Sequence, residues 1–471
     1  MSNYLSKILL ILISFFCFIV FSSLGLYWTS YPYDAWRIYE IIILIIFTFY
    51  SSYHFHINKI SIFKNYQTHQ QYFFFLIIIV LLCLCTISFA EIPERAISDV
   101  SLYFLLINFT VICSQIIRNN PIFSQKITTS IAFFPLLTLI FLPIALFDRF
   151  QGGDGVWTQS FTNIRMLDDV LLPCLFLLWL QPAYLNPPLS NNSLRKLLMT
   201  CTVYIISIIY LLNFLFHGAR ACLLGISIGL ILGLLLSSKS ERHFFKLPLI
   251  SFFIAIIIFN IYNNFLSTNI GSSIARTNSS GRIELWQKSL QIWFNNPLLG
   301  IGGNHFSLQQ PVLLPSHPHN IFFKLLSEWG IVTFFILFLF YMIVKKIYRH
   351  KKNIPILLLS GSFAIVFNTL LSGSLIYPVS QLINFWFFAL IVSFLPVYKM
   401  TKKSSYFNYQ KKLWIFVSIF SVIAILYVHG QDILCYPCIS IDEYGAPNFW
   451  DQGRAIHLSP ISDLKNIPNA K

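Results

Sequence analysis

Gly281-Arg282-Ile283-Glu284-Leu285-Trp286, Pro297-Leu298-Leu299-Gly300-Ile301-Gly302-Gly303 and His317-Pro318-His319-Asn320, followed nine residues later by Gly330 and then by Thr333, form a polar island between long apolar runs. In a chain that is 56% hydrophobic and only 10% charged, guanidinium and imidazole groups in such a place are costly unless they face water. The island therefore reads as a large aqueous loop, and its flanks read as membrane.

Composition supports that division. Aromatic residues make up 17% of the chain, with 48 Phe, and the mean hydropathy is +0.70, the profile of an integral membrane protein. Spans need about 20 apolar residues. Thirteen candidates fit, at 5–27, 36–57, 72–90, 98–117, 128–147, 166–181, 197–216, 220–238, 247–264, 331–344, 354–372, 381–398 and 413–429. The expected fold is an all-α polytopic membrane protein of 12–13 transmembrane helices. It divides into an N-terminal bundle (1–264), a large loop with amphipathic helices (265–330), further membrane helices (331–429) and a tail (430–471). The first span follows only Lys7, is longer than a signal peptide's apolar core and precedes no small-residue cleavage site, so it is expected to stay as an anchor.

Charge sets the orientation. With the N-terminus cytoplasmic, the loops on that side hold twenty of the 32 basic residues, among them Arg118, Lys126, Lys345, Lys346, Lys411 and Lys412. Thirteen spans then place loop 265–330 and the C-terminal tail outside. The net charge of +15 comes from short juxtamembrane clusters, which suit anionic cytoplasmic lipid and argue against nucleic acid.

Within the loop, Ile283, Trp286, Leu290 and Trp293 recur at helical spacing, predicting an amphipathic surface helix from Arg282 that Asn295-Asn296-Pro297 ends. A second helix is predicted from His319-Asn320 through Trp329 into the tenth span, with Gly330 at the join. Gly300-Ile301-Gly302-Gly303 lacks a preceding strand and reads as a turn, not a nucleotide loop. Asp168-Asp169 lacks the further ligands of a metal site. Arg149 and Gln151-Gly152-Gly153-Asp154-Gly155 read as a mobile loop, either near a substrate or a plain connection. Seven of the nine cysteines lie in or beside spans as packing residues, while Cys435 and Cys438 could form a disulfide in the tail.

The order Arg, Trp, Pro-Leu-Leu-Gly-x-Gly, His-x-His-Asn, Glu-x-Gly resembles the shared region of bacterial O-antigen ligases, O-antigen polymerases and O-linked oligosaccharyltransferases. More narrowly, His319-Asn320-x9-Gly330-x2-Thr333 is similar to the ligase signature of His, then Asn, Ser or Gln, nine residues, Gly, two residues, and Gly, Thr or Tyr. The likeness covers 217–333 and is topological elsewhere. It implies a multi-pass protein of the bacterial inner membrane whose active site faces the periplasm. That site would pass a glycan from undecaprenyl diphosphate to the lipid A core. A tail outside departs from the twelve-span ligase pattern, in which both ends are cytoplasmic.

The resemblance also assigns residues. His319 matches the family's essential His and is the candidate general base, a role suited to an imidazole titrating near neutrality. Arg282 and Arg220 match the arginines that hold the diphosphate, for which guanidinium forks are suited. Arg165 is either a third diphosphate contact or the partner of Asp168 or Asp169 one turn on, the latter ranked first. His317 orients the substrate, orients His319 or is a plain loop residue. No metal or other cofactor is implied, since the leaving group is already good. Other readings keep the same donor but pass the glycan to a protein Ser or Thr, or extend it on its own carrier. A flippase for the lipid-linked glycan predicts charges through the midplane of the spans, whereas these candidates gather at their ends.

Reporter fusions at residues 300 and 471 should both read as exported; a cytoplasmic signal at 471 alone removes one of the last spans.

Overall fold

The computed structural model describes residues 2–24, 32–56, 70–153, 155, 157–158, 160–184, 193–266, 281–309, 317–396, 405–434 and 449–450. Cys435, Cys438 and nearly all of the tail lie outside the described residues. In chain order the helices are α1 (Ser2–Ser22), α2 (Pro32–His56), α3 (Gln70–Phe89), α4 (Pro93–Asn119), α5 (Pro121–Phe133), α6 (Leu136–Leu139), α7 (Leu142–Phe150), α8 (Ile164–Trp179) and α9 (Gln181–Tyr184). They continue with α10 (Ser193–Phe216), α11 (Arg220–Leu236), α12 (Lys246–Ile261), α13 (Arg282–Asn295), α14 (Ile321–Trp329), α15 (Val332–Arg349), α16 (Ile356–Thr369), α17 (Pro378–Ser393) and α18 (Ser405–Leu434).

No strand occurs among the described residues, and seven helical stretches are long and apolar enough to cross a membrane, so this is an all-α polytopic membrane protein. Among the described residues, each of the thirteen expected spans overlaps a helix. One is not continuous: the stretch expected at 128–147 is broken into α5, α6 and α7 by Pro135 and Pro143. Proline removes an amide donor and clashes with the preceding turn. The same residue opens α2, α4, α5 and α17, where its fixed φ suits the first helical position and the lost donor would be unbonded anyway.

The chain divides into two compact units. The first comprises Met1–Ile43, Phe109–Asn278 and Ile347–Pro396; the second comprises Leu44–Asn108, Ser279–Lys346 and Val397–Lys471.

In the first unit, α11 lies against α16 through Gly225, Gly229 and Gly233. Four-residue spacing places these on one face, and small residues let helix backbones approach closely in lipid. A Cβ on Gly229 would sit 2.6 Å from the Ser360 carbonyl oxygen, and the Ser360 hydroxyl donates to the Gly229 carbonyl at 2.6 Å. Arg37 and Glu40 form a buried ion pair in this unit. The Arg37 guanidinium, 1% exposed, donates to Glu40 Oε2, Gln381 Oε1 and the Ile376 carbonyl, each at 2.5 Å. Arg118 donates to carbonyls at and just past the end of α17, Nε to Ser393 at 2.7 Å and Nη2 to Leu395 at 3.0 Å, so this basic residue closes a helix C-terminus.

In the second unit, Trp329 and Val332 pack with Cys83 of α3 and Ala96 of α4. A separate cluster of Leu285, Ile292 and Phe306 lies under α13. Five of the cysteines are buried as packing residues, whereas Cys85 and Cys201 are exposed.

Gly229→Val should separate α11 from α16, with an overpacking cost of about 1–3 kcal/mol, read as a lowered thermal midpoint of the purified protein. An unchanged midpoint would remove the close helix approach from the account.

Candidate functional site

The three motifs of the polar island meet in the second unit. Helix α13 starts at Arg282, as its periodicity predicts, behind Gly281 at φ +74°. One turn on, Trp286 donates from its indole to the Pro318 carbonyl at 3.0 Å and stacks on Phe323 at 5.5 Å. The first helix of the loop thereby holds the middle of His317-Pro318-His319. Helix α14 begins after Asn320, whose side-chain oxygen accepts from the amides of Phe322 (2.9 Å) and Phe323 (3.2 Å), an N-cap.

His319 sits at this entrance with φ +50°, a left-handed conformation that costs a non-glycine residue about 1–2 kcal/mol. The amide of His319 donates to His317 Nδ1 at 3.1 Å, and the two rings meet edge to face at 4.4 Å. Since Nδ1 accepts, that nitrogen is bare. Burial at 1% exposure, then the neighbouring His319 and the Lys324 ammonium, push the His317 pKa well below the usual imidazole range, which keeps it an acceptor. His317 is thus a buried pin for the backbone of His319, whose own side chain stays partly exposed.

Helix α14 is anchored by charge. Lys324 Nζ lies 2.6 Å from Glu328 Oε2 and 3.1 Å from Asp99 Oδ1 of α4. Burial works against its charge, but Asp99 and then Glu328 outweigh it and raise the ammonium's pKa above the ordinary lysine range. Asp99 also accepts from the Trp329 indole at 3.1 Å, and Glu328 Oε1 from the Phe306 amide at 3.2 Å.

Glycines bring the second motif onto this anchor. The Ile301 and Gly302 amides donate to the Ser327 and Glu328 carbonyls at 3.1 and 2.9 Å. A Cβ on Gly300 would come within 2.4 Å of the Glu328 carbonyl, and one on Gly303 within 2.5 Å of the Trp329 ring. The segment is a turn docked on Glu-x-Gly. Beyond it, the neutral His305 donates from Nδ1 to the Gly303 carbonyl at 2.8 Å and accepts the Ile92 amide on Nε2 at 3.0 Å, burial lowering its pKa.

The first unit carries Arg220 and Arg165. Arg220 is the first residue of α11, after a turn in which Gly218 has φ +59°. Arg165 lies in the first turn of α8, where Asn163 caps the Arg165 and Met166 amides at 2.9 and 3.1 Å. The expected ion pair with Asp168 or Asp169 is not formed among the described residues. Asp168 binds His217 at 2.8 Å and Asn213 at 2.9 Å, while Asp169 accepts from Asn368 at 2.7 Å and Ser372 at 2.5 Å. Arg149 and the glycine-rich segment are tied down as well: Arg149 donates to the Phe216 carbonyl at 3.0 Å, and Asp148 Oδ2 accepts the Gly155 amide at 2.8 Å.

Arg220 and Arg282 share a context. Each opens a helix whose N-cap residue makes no side-chain cap bond, in contrast to the asparagine-capped α8 and α14. A cation there opposes the helix dipole, and in α13 Glu284 of the first turn offsets it. Sequence reasoning missed Asp99, Lys324, Glu328 and His305. The Lys324–Glu328 spacing of four was a readable signal, but Asp99 lies too far away in sequence to be paired by pattern.

Residues 205–338 match the sequence model of the family described as O-antigen ligase. This part of the chain is similar to that family, and the matched segment contains Arg220, Arg282, His317 and His319. No curated protein matches the chain.

Acid should loosen this site. His305 and His317 have lowered pKa values in the fold, so unfolding takes up protons below the ordinary imidazole value of about 6.5 and stability falls as pH drops through that value. A pH series of thermal midpoints should show the fall beginning near there. It should be smaller in His317→Asn, whose side-chain oxygen can accept the His319 amide without titrating; an equal fall in both proteins would separate His317 from the effect.

Proposed function

We propose that this protein transfers a glycan from undecaprenyl diphosphate to a hydroxyl of the lipid A core, at the periplasmic face of the bacterial inner membrane. The acceptor oxygen attacks the anomeric carbon as the bond from that carbon to the phosphate oxygen breaks. The acceptor's proton passes to His319, and the diphosphate departs with the electron pair of the broken bond. The observation that carries this reading is the strained, pinned backbone of His319 beside a partly exposed imidazole, since strain persists where surrounding structure over-determines it, and such places cluster at active sites. Arg282, which opens α13, is assigned to the diphosphate by its guanidinium fork; in the first unit Arg220 and Arg165, the latter outside any ion pair with the carboxylates of its own helix, are assigned as further cations for anionic substrate. His317 acts through His319 as a positioning residue.

Replacing His319 by Ala should reduce transfer by about 10²–10⁴-fold while the protein still inserts. Arg220→Ala and Arg282→Ala should weaken donor use, with Lys restoring only part, because an ammonium keeps the charge and loses the fork. The assay is transfer from purified lipid-linked glycan at matched enzyme levels; an active His319→Ala protein overturns the mechanism. A clean deletion identifies the acceptor. Polymer lost from lipopolysaccharide but intact on its carrier supports the ligase, loss from glycoproteins gives a protein acceptor, and single repeat units left on lipopolysaccharide give a polymerase.

A further inference from the structure

Three glycines that follow α7 are folded back onto the last turn of that helix. The Gly152 and Gly153 amides donate to the Arg149 and Asp148 carbonyls at 3.0 and 2.9 Å, and the Gly155 amide to Asp148 Oδ2 at 2.8 Å. Gly155 has φ +53°, and a Cβ there would lie 2.2 Å from Arg149 Cγ and 2.4 Å from the Ala145 carbonyl oxygen. Glycine is what lets the chain pass this close to the arginine.

Just beyond, Trp157 is 1% exposed. Its ring stacks on the His217 imidazole, 4.4 Å between centroids with 24° between planes, and its indole nitrogen donates to Asn213 Oδ1 at 2.6 Å. The Arg149 guanidinium stands 5.0 Å from the centre of the Trp157 ring and donates from Nη1 to the Phe216 carbonyl at 3.0 Å. These contacts converge on the end of α10 and the turn after it. That turn has little of its own to fix it: Gly218 has φ +59°, and Ala219, the N-cap of α11, makes no side-chain cap bond. Arg220 follows at once, its amide donating to the Gly218 carbonyl at 2.9 Å. The backbone of the turn therefore sets the direction in which Arg220 leaves the helix.

We propose that Trp157 and Arg149 are positioning residues for Arg220: indole and guanidinium hold the turn at 216–219, and the turn aims Arg220 at anionic substrate. The assignment rests on the transfer reading of Arg220. A guanidinium fork acts only in register with its anion, and a misplacement of about 1 Å can cost about 10²-fold in rate. The glycine-rich stretch is then a strut that brings Trp157 and Arg149 to one turn.

A double-mutant cycle separates positioning from scaffolding. It uses steady-state transfer by the full-length protein in nanodiscs, per folded protein, with donor and acceptor varied in turn. Trp157→Ala should lower kcat/KM by up to about 100-fold for the same substrate that Arg220→Ala impairs, with the KM of the other substrate unchanged. Trp157→Phe, which keeps a stacking ring and loses the indole donor, should recover part. Once Arg220 is already Ala, Trp157→Ala should have little further effect. Arg149→Met repeats the cycle through a half-buried side chain, and carries it alone where Trp157→Ala does not fold. Losses that multiply in the double variants overturn the proposal, because a scaffold acts whether or not Arg220 is present. Wild-type kinetics in Trp157→Ala and Arg149→Met overturn it as well. In both cases an impaired Arg220→Ala leaves the transfer reading standing, whereas an unimpaired Arg220→Ala removes that arginine from the reading and the proposal with it.

Discussion

The ammonium of Lys324 is out of water, and everything near the two histidines follows from how its charge is met. Removing one partner of a buried ion pair costs about 3–5 kcal/mol, because the other is stranded. Here the partners are Glu328, one turn on, and Asp99, brought from α4. Their second contacts extend the constraint, Asp99 to the Trp329 indole and Glu328 to the Phe306 amide. A nine-residue helix is too short to hold itself in water. This one is fixed near both ends, by Asn320 at its start and by charge further along. The charge also acts on His317, helping to keep it the neutral acceptor that His319 needs.

Much of the fold was legible because apolar runs report hydrocarbon directly. The loop helix Arg282–Asn295 was legible too, its apolar face recurring at 3.6-residue spacing and its end marked by Asn295-Asn296-Pro297. Pattern reading failed where partners come from distant sequence. Arg165 and Asp168 have the spacing of a helical pair, yet Asp168 turns to His217, 49 residues away, and Asp169 to Asn368 and Ser372. Local spacing counts for a few tenths of a kcal/mol, and buried tertiary hydrogen bonds to a carboxylate count for more. Arg118 likewise finds its partners at a distance, its guanidinium serving the carbonyl end of α17. The candidate site was half legible: the histidines and arginines stand in motifs, whereas the groups that hold them do not.

The starts of α8 and α14 carry an asparagine cap, and those of α11 and α13 carry an arginine as their first residue. Where α8 and α14 begin, an asparagine oxygen satisfies the first amides, so those ends are complete without a ligand. Where α11 and α13 begin, alanine and glycine occupy the cap position and an arginine opens the helix. Alanine caps less well than asparagine, and an arginine opposes the helix dipole, which in α13 Glu284 of the first turn offsets.

The spacing of the His-Asn-x9-Gly-x2-Thr signature has a physical measure in α14. Asn320 is the cap, a position that serine also fills well. The nine unspecified residues are Ile321–Trp329, the whole of the helix, whose inward positions supply Lys324, Glu328 and Trp329. Gly330 follows with φ +52° and ψ −125°, a conformation open in practice only to glycine, and a Cβ there would lie 2.7 Å from the Leu298 oxygen and the Gly300 nitrogen. Thr333 is buried in the first turn of α15, its amide donating to the Gly330 carbonyl at 3.2 Å. Lengthening or shortening α14 by one residue would rotate it by about 100°. Either Lys324 would then leave its carboxylates or His319 its place at the helix entrance. In this chain the nine residues between Asn320 and Gly330 thus set the distance between a charge anchor and an imidazole.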